Sequence, residues 1–214
     1  MAASSARIGY GAQLARQAAN LTTIAGAITA SGSPQAVTPV SMTSIAIGAL
    51  LMIDTGAAAT VKETVKVTAT TGSTFTAIFR NNHSGGMSIA LMAPVAELVS
   101  VGMPALKMDP SEATHLLSDN SYREYLAGVR DGGEVPFEAN QLAADATQTI
   151  LNTDFDAGTR KTWCVSLGGT PGNDNQAIWQ FDGYVTALAP VARVEDVVRF
   201  SGSMKVSGKS FLYG

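Results

Sequence analysis

Residues 122–151 read Tyr-Arg-Glu-Tyr-Leu-Ala-Gly-Val-Arg-Asp-Gly-Gly-Glu-Val-Pro-Phe-Glu-Ala-Asn-Gln-Leu-Ala-Ala-Asp-Ala-Thr-Gln-Thr-Ile-Leu. Asp131-Gly132-Gly133 marks a turn, because glycine tolerates the positive backbone angles of a tight reversal. In Glu134 to Asn140 the apolar Val135 and Phe137 alternate with Glu134, Pro136 and Glu138, the pattern of a strand with one dry face. Pro136 has no N–H to give a ladder, which places it at an edge or a bulge. Asp145 is a helix N-cap with Gln148 at the capping-box position, and Ile150 and Leu151 supply the buried stripe. The stretch therefore predicts loop, strand, cap and helix in that order.

On the N-terminal side, Met1 to Asn20 is rich in Ala, Ser, Gly and Gln and reads as an extended arm that orders against a neighbour; Leu14, Ala18 and Leu21 on one helical face are the alternative. After the break at Ser31-Gly32-Ser33-Pro34 come short Val/Thr-rich strands, expected over Ala36–Met42, Ala49–Ile53, Val61–Thr70 and Ser73–Arg80. Glu63 interrupts the apolar parity of Val61, Val65 and Val67, and Phe75, Ile78 and Phe79 are candidate core residues. A strand is expected at Val95–Val101. Gly102 to Asn120 then reads as a long loop carrying one helical turn opened by Pro110 and Ser111; loops of that length inside a compact domain are usually functional.

Further strands are expected over Thr159–Leu167, Ala177–Leu188 and Val194–Val206, with a turn at Gly168 to Gln176. That turn lacks the Gly-Lys-Ser/Thr of a phosphate loop. The fold class is therefore all-β with one short α-helix, a β-sandwich or barrel. Three segments are expected: 1–32 as an arm and the start of the main domain, 33–93 as an inserted small β domain, and 94–214 as the sandwich core. Phe211, Leu212 and Tyr213 at the end are too apolar to be left in water.

Composition narrows the function. The 214 residues are 14% charged and 46% hydrophobic with 21 glycines, against a usual charged share of roughly 25%. A surface so poor in charge points to burial against other protein. The formal net charge of −3 and pI near 5.3 argue against gripping nucleic acid through its phosphates. Met1 to Tyr10 lacks the basic start and apolar core of a signal peptide, and the run Ile45 to Ile53 is too short for the roughly 20 residues that span a bilayer, so a soluble intracellular product without membrane insertion is expected.

Cys164 is the single cysteine; it lies in an apolar strand pattern and reads as a small buried hydrophobe, with His83 and His115 in loop contexts unsuited to activating it. Asp154 and Asp156 lack the further oxygen ligands of a calcium loop, and no Ser, His and Asp set presents itself. No cofactor, metal or catalytic residue is expected.

The stretch 122–151 resembles the core signature of the major tail tube proteins of long, flexible-tailed bacteriophages. The resemblance is carried by Tyr122, Arg123, Glu124, Gly128, Arg130, Asp131, Gly132, Gly133, Glu134, Phe137, Glu138 and Asn140, supported by Ile8-Gly9-Tyr10-Gly11 near the start and Phe200 to Val206 near the end. It implies a virion protein assembled in the host cytoplasm, in which rings of six stack head to tail into a hollow tube for genome delivery. It further implies partners at the tail tip and terminator, a tape measure protein in the lumen, and DNA that passes without specific binding.

In such a tube, unpaired strand edges form the ring, and the Gly102 to Asn120 loop with both termini locks one ring to the next. Candidate contact residues are Tyr10, Met103, Leu116, Leu117, Tyr122, Arg123, Arg130, Asp131, Phe211 and Tyr213. Arg123, Arg130 and Lys161 are read as partners of Glu124, Asp131, Glu134 or Glu138 rather than of phosphate. Glu134, Glu138, Asp182 and Glu195 are candidates for an acidic lumen that repels DNA. Two rivals stand beside this reading: a host-surface or carbohydrate-binding phage β protein working through its inserted module, and a hydrolase with an unrecognised site.

Overall fold

In the computed structural model, residues 11–58, 61–115, 122–142, 144–167, 177–191 and 198–213 are described. In chain order the strands are β1 (Gln13–Ile24), β2 (Gln35–Val37), β3 (Leu50–Ile53), β4 (Glu63–Lys66), β5 (Ala69–Thr70), β6 (Phe75–Ala77), β7 (Met87–Pro94) and β8 (Leu98–Val101). There follow β9 (Lys107–Met108), β10 (Ser111–Glu112), β11 (Tyr125–Leu126), β12 (Arg130–Asp131) and β13 (Glu134–Asn140), then the helix α1 (Ala146–Asp156), then β14 (Lys161–Ser166), β15 (Ile178–Val191), β16 (Arg199–Val206) and β17 (Phe211–Tyr213). The fold is all-β with one short helix, as the sequence implied.

A 10-stranded sheet runs in the order β4-β3-β7-β1-β14-β15-β16-β13-β8, with β17 added beside β15. Its central strands are buried on both faces, which is why they are apolar at consecutive positions instead of alternating. Leu14, Trp163, Val165 and Phe181 point into one core with Val135, Phe137, Phe200 and Met204. Their sequence neighbours Ala15 and Cys164, with Ile178, point to the opposite side and meet Leu50, Met52, Ala90 and Met92. The far faces of β3 and β7 present Leu51, Ile53 and Ile89 to a third core with Phe75 and Phe79, beneath the small sheet β2-β6-β5.

Polar side chains tie these layers. Arg16 on β1 forms a paired contact with Asp154 on α1 through Nε and Nη2, the latter at 2.8 Å, with Asp154 buried. Thr64 on β4 donates to Gln180 on β15 at 2.9 Å, and the Gln180 amide donates to the Lys62 carbonyl. Glu63, the acid that interrupts an apolar face, is buried. It accepts from the backbone N–H groups of Arg80 and Asn81 and from Nε2 of His83 at 3.0 Å. Such a carboxylate is tolerated inside because both of its oxygens accept hydrogen bonds.

Four expectations are corrected. The arm read over Met1 to Asn20 is, from Gln13 onward, the 12-residue strand β1, paired with β14 on one side and β7 on the other. Register shifts between Gln17 and Thr22 break its alternation, so the periodicity that announces a strand was missing. The helical turn expected from Pro110 is strand β10 instead.

Pro136 is neither at an edge nor in a bulge: β13 lies between β16 and β8. Its carbonyl accepts from Gly102, one residue past the end of β8, so its missing donor falls where that ladder has stopped. On α1, Ile150 is exposed while Leu151 and Gln148 are buried. Asp145 caps the helix by accepting from the Thr147 and Gln148 N–H groups, and the Gln148 side chain bridges to the carbonyls of Ala96 and Asn140. Within the segment 33–93, β3, β4 and β7 join the large sheet, and Phe75 and Phe79 build a core that also takes in Ile24 and Ile28.

Candidate assembly surfaces

Between β8 and β13 the chain leaves the body and returns as a two-stranded arm. β9 pairs with β12, and β10 with β11, in antiparallel register. Backbone hydrogen bonds Asp109 to Val129 and Ala113 to Glu124 continue the ladder between and beyond them. The glycines of the signature sit where this arm needs close approach. A Cβ on Gly128 would lie 1.8 Å from the Asp109 carbonyl oxygen, and one on Gly133, whose φ is +73°, would lie 2.0 Å from the Ala105 oxygen.

Asp131 fixes the root by accepting from the Gly133 N–H at 2.9 Å and from Lys205 Nζ at 2.6 Å. The Lys205 hydrogen bond, followed by that of Gly133, holds its carboxyl below the usual carboxylate range.

The arm is exposed on both faces. Val129 is 83% exposed, Tyr122 76% and Leu126 65%, with Leu106, Met108 and Tyr125 also outward. Arg123 pairs with Glu112 at 3.7 Å across the ribbon, while Arg130 forms no ion pair among the described residues. The second leg, Lys107 to Glu112, was missed by sequence reasoning. The available signal was the bracketing of both legs by Gly102-Met103-Pro104 and Gly132-Gly133.

The second surface is the outer face of the section β15-β16-β13-β8. Side chains there alternate with the core residues and are small or polar: Thr186 bonds Ser203 at 3.0 Å, and Glu138 lies 3.5 Å from Arg199. Glu134 is exposed on the same face, opposite Lys205 in register. Glu134 and Glu138 thus share one solvent-facing sheet.

Asp182 is elsewhere in character. Only 14% of its side chain is exposed, and it accepts from Thr162 and Lys62 with Arg160 3.4 Å away. It is a structural clasp that ties β14 and β15 to Lys62, just ahead of β4. Glu195, Tyr10, Leu116 and Leu117 lie outside the described residues.

Phe211 and Tyr213 are engaged within the chain: β17 pairs with β15, the two rings stack at 6.4 Å, and the Tyr213 hydroxyl donates to the Lys62 carbonyl. Burial pushes the Tyr213 hydroxyl up to about 12. Cys164 is wholly buried, and burial likewise pushes its thiol up to about 12. Among the described residues no group of three or more His, Cys, Asp and Glu is placed to hold a metal ion, and no helix is long and apolar enough to cross a membrane.

Residues 78–212 match the family described as lambda phage tail tube protein. Among solved structures, a chain from the virion of a native gene transfer agent particle aligns at 18% identity and a TM-score of 0.48, over 57% of this chain and 89% of that one. A chain from the tail of an empty gene transfer agent particle, refined with C6 symmetry, aligns at 18% identity and 0.48, over 57% and 87%. A chain from the six-fold symmetrised baseplate of the anti-feeding prophage aligns at 8% identity and 0.45, over 82% and 98%. No curated protein matches the chain.

Proposed function

The chain belongs to the lambda phage tail tube protein family, and from that premise we propose that six copies close into a ring and that rings stack into a hollow tube through which a phage genome is delivered. A structural tail tube subunit needs no pocket; its chemistry is self-association. The observation that carries this reading is the arm 104–133. Among the described residues nothing covers its Leu126, Val129 and Tyr122, and exposed apolar area of that kind is stabilised only against another surface. The arm reaches from one ring to the next, bringing Met103, Tyr122, Arg123, Arg130 and Asp131 to or near that contact.

In this reading the polar outer face of β15-β16-β13-β8 lines the lumen, where Glu134 and Glu138 repel a passing duplex over about a Debye length of 8–10 Å. The segment 33–93, with its own core, faces away from the lumen as an outer module. Assembly in the host cytoplasm, a tape measure protein in the lumen, and tip and terminator proteins at the tube ends complete the proposal.

Its test uses the full chain and the variant Leu126→Asp/Val129→Asp. Wild type is expected to give tubes in electron micrographs, and the variant at most single rings at unchanged folded content. Wild-type tubes that persist unaltered in the variant remove the arm from the contact.

A further inference from the structure

Lys62, Arg160 and Lys209 meet at one cavity that self-association does not use. It encloses about 300 Å³, at the lower end of the size of small-molecule sites. It opens between the start of β14, the first half of β15 and the turn that joins β16 to β17. Gln180, Asp182 and Phe211 also line it.

Three separate parts of the chain deliver the cations. Lys62 stands just ahead of β4 and Arg160 just ahead of β14, while Lys209 follows the turn at Gly208, whose φ is +88°. Lys62 and Arg160 share one carboxylate: Lys62 Nζ lies 3.2 Å from Asp182 Oδ1, and Arg160 Nη2 lies 3.4 Å from Oδ2. Lys62 also donates to the Thr162 hydroxyl at 3.0 Å. Lys209 has its Nζ 5.3 Å from the centre of the Phe211 ring and forms no ion pair among the described residues.

These charges do not balance. Asp182 is the one acid in the lining against three cations, in a chain whose formal net charge is −3. The floor is also shielded from water. Only 12% of the Lys62 side chain is exposed, and Gln180 is buried with its amide given to the Lys62 carbonyl and its oxygen to Thr64. An ammonium in such a position is costly unless counter-charge meets it. A share in one carboxylate falls short of that.

The surplus selects the ligand. A phosphate monoester carries about −1.5 to −2 at neutral pH and offers three strong acceptor oxygens, one for each cation. A carboxylate brings a single charge and is satisfied by one fork of donors. The Phe211 ring supplies an apolar wall for the group that the phosphate esterifies.

We propose that this cavity binds a small phosphate monoester, held by Lys62, Arg160 and Lys209 with its ester group against Phe211. The site adds to the tube reading without resting on it.

Calorimetric titration of the full chain at constant ionic strength tests it with three probes: phenyl phosphate, inorganic phosphate and benzoate. Phenyl phosphate is expected to saturate at one per chain and to bind more tightly than inorganic phosphate. Benzoate, which forgoes a charge-assisted hydrogen bond, should bind at least about tenfold more weakly than phenyl phosphate.

Arg160 is 55% exposed and Lys209 is exposed, so Arg160→Gln and Lys209→Gln leave the core untouched. Each should weaken phenyl phosphate about tenfold at unchanged circular dichroism, while Arg80→Gln, an equal charge change outside the cavity, should bind as wild type does. Absence of saturation, benzoate equal to phenyl phosphate, or full affinity in both cavity variants overturns the site. Each of those results leaves the tube reading intact, since tube formation is measured separately by microscopy.

Discussion

β14 and the arm are both antiparallel β structure, yet they hold opposite places in the energetics. In β14, Trp163, Cys164 and Val165 are completely buried between two cores. In the arm, Tyr125, Leu126 and Val129 face solvent, and the pairing strands touch little beyond each other. Hydrogen-bonded pairing is therefore not where the stability of this chain resides; burial is. A two-stranded ribbon is marginal alone in water, so the arm adds little to the chain's own stability, which is what the proposed contact between copies requires of it.

The comparison is broken most directly by truncation on each side of it. Trp163→Ala removes a fully buried ring and is expected to lower unfolding stability by about 3–5 kcal/mol, read by denaturant titration. Val129→Ala should stay within about 0.5 kcal/mol of wild type while lowering the yield of tubes. Equal stability losses at the two positions would erase the distinction.

Next in size is the Arg16 clasp. Asp154→Ala strands a guanidinium in a site where only 12% of its side chain is exposed, at a cost of about 3 kcal/mol. Arg16→Met/Asp154→Leu should recover most of that loss, and failure to recover would mean the pair does more than neutralise itself.

Cys164 sharpens the contrast through pH. Burial raises its pKa from 9.0 to about 12, so the folded chain holds the thiol proton after the unfolded chain has lost it. Its contribution is complete below about pH 9 and declines by about 1.4 kcal/mol per unit as the pH rises toward the folded value. Cys164→Ala should flatten that decline between pH 9 and 11.

The smallest effect is local. Asp145 has its carboxyl held below 3.8, first by the Thr147 hydroxyl and then by the Gln148 N–H. Its cap is retained above that pH and lost as the pH falls through the depressed value. Asp145→Ala should speed amide exchange at Thr147 and Gln148 with little change elsewhere.

What the sequence disclosed follows from the same distinction. Strand β13 alternates because it has one dry face, and its bounds, like the Asp145 cap, are legible from neighbours in sequence. β1 was not legible. Its polar residues are satisfied at long range, Arg16 by Asp154 and Asn20 by Thr55, and register shifts hide its period. Glu63 was visible as an anomaly, but its donors, Arg80, Asn81 and His83, lie 17 to 20 residues on.

The signature residues at 122–134 pointed to this arm, yet as a resemblance: the close approaches at Gly128 and Gly133 that explain them need both legs of the arm. Asp182 looked like a surface acid because Lys62, one of its partners, is 120 residues away.

Negative-stain microscopy of the purified full chain across a concentration series tests the central claim most directly. Hollow tubes of uniform width, built from stacked rings, are the result this account predicts; a solitary monomer at every concentration contradicts it.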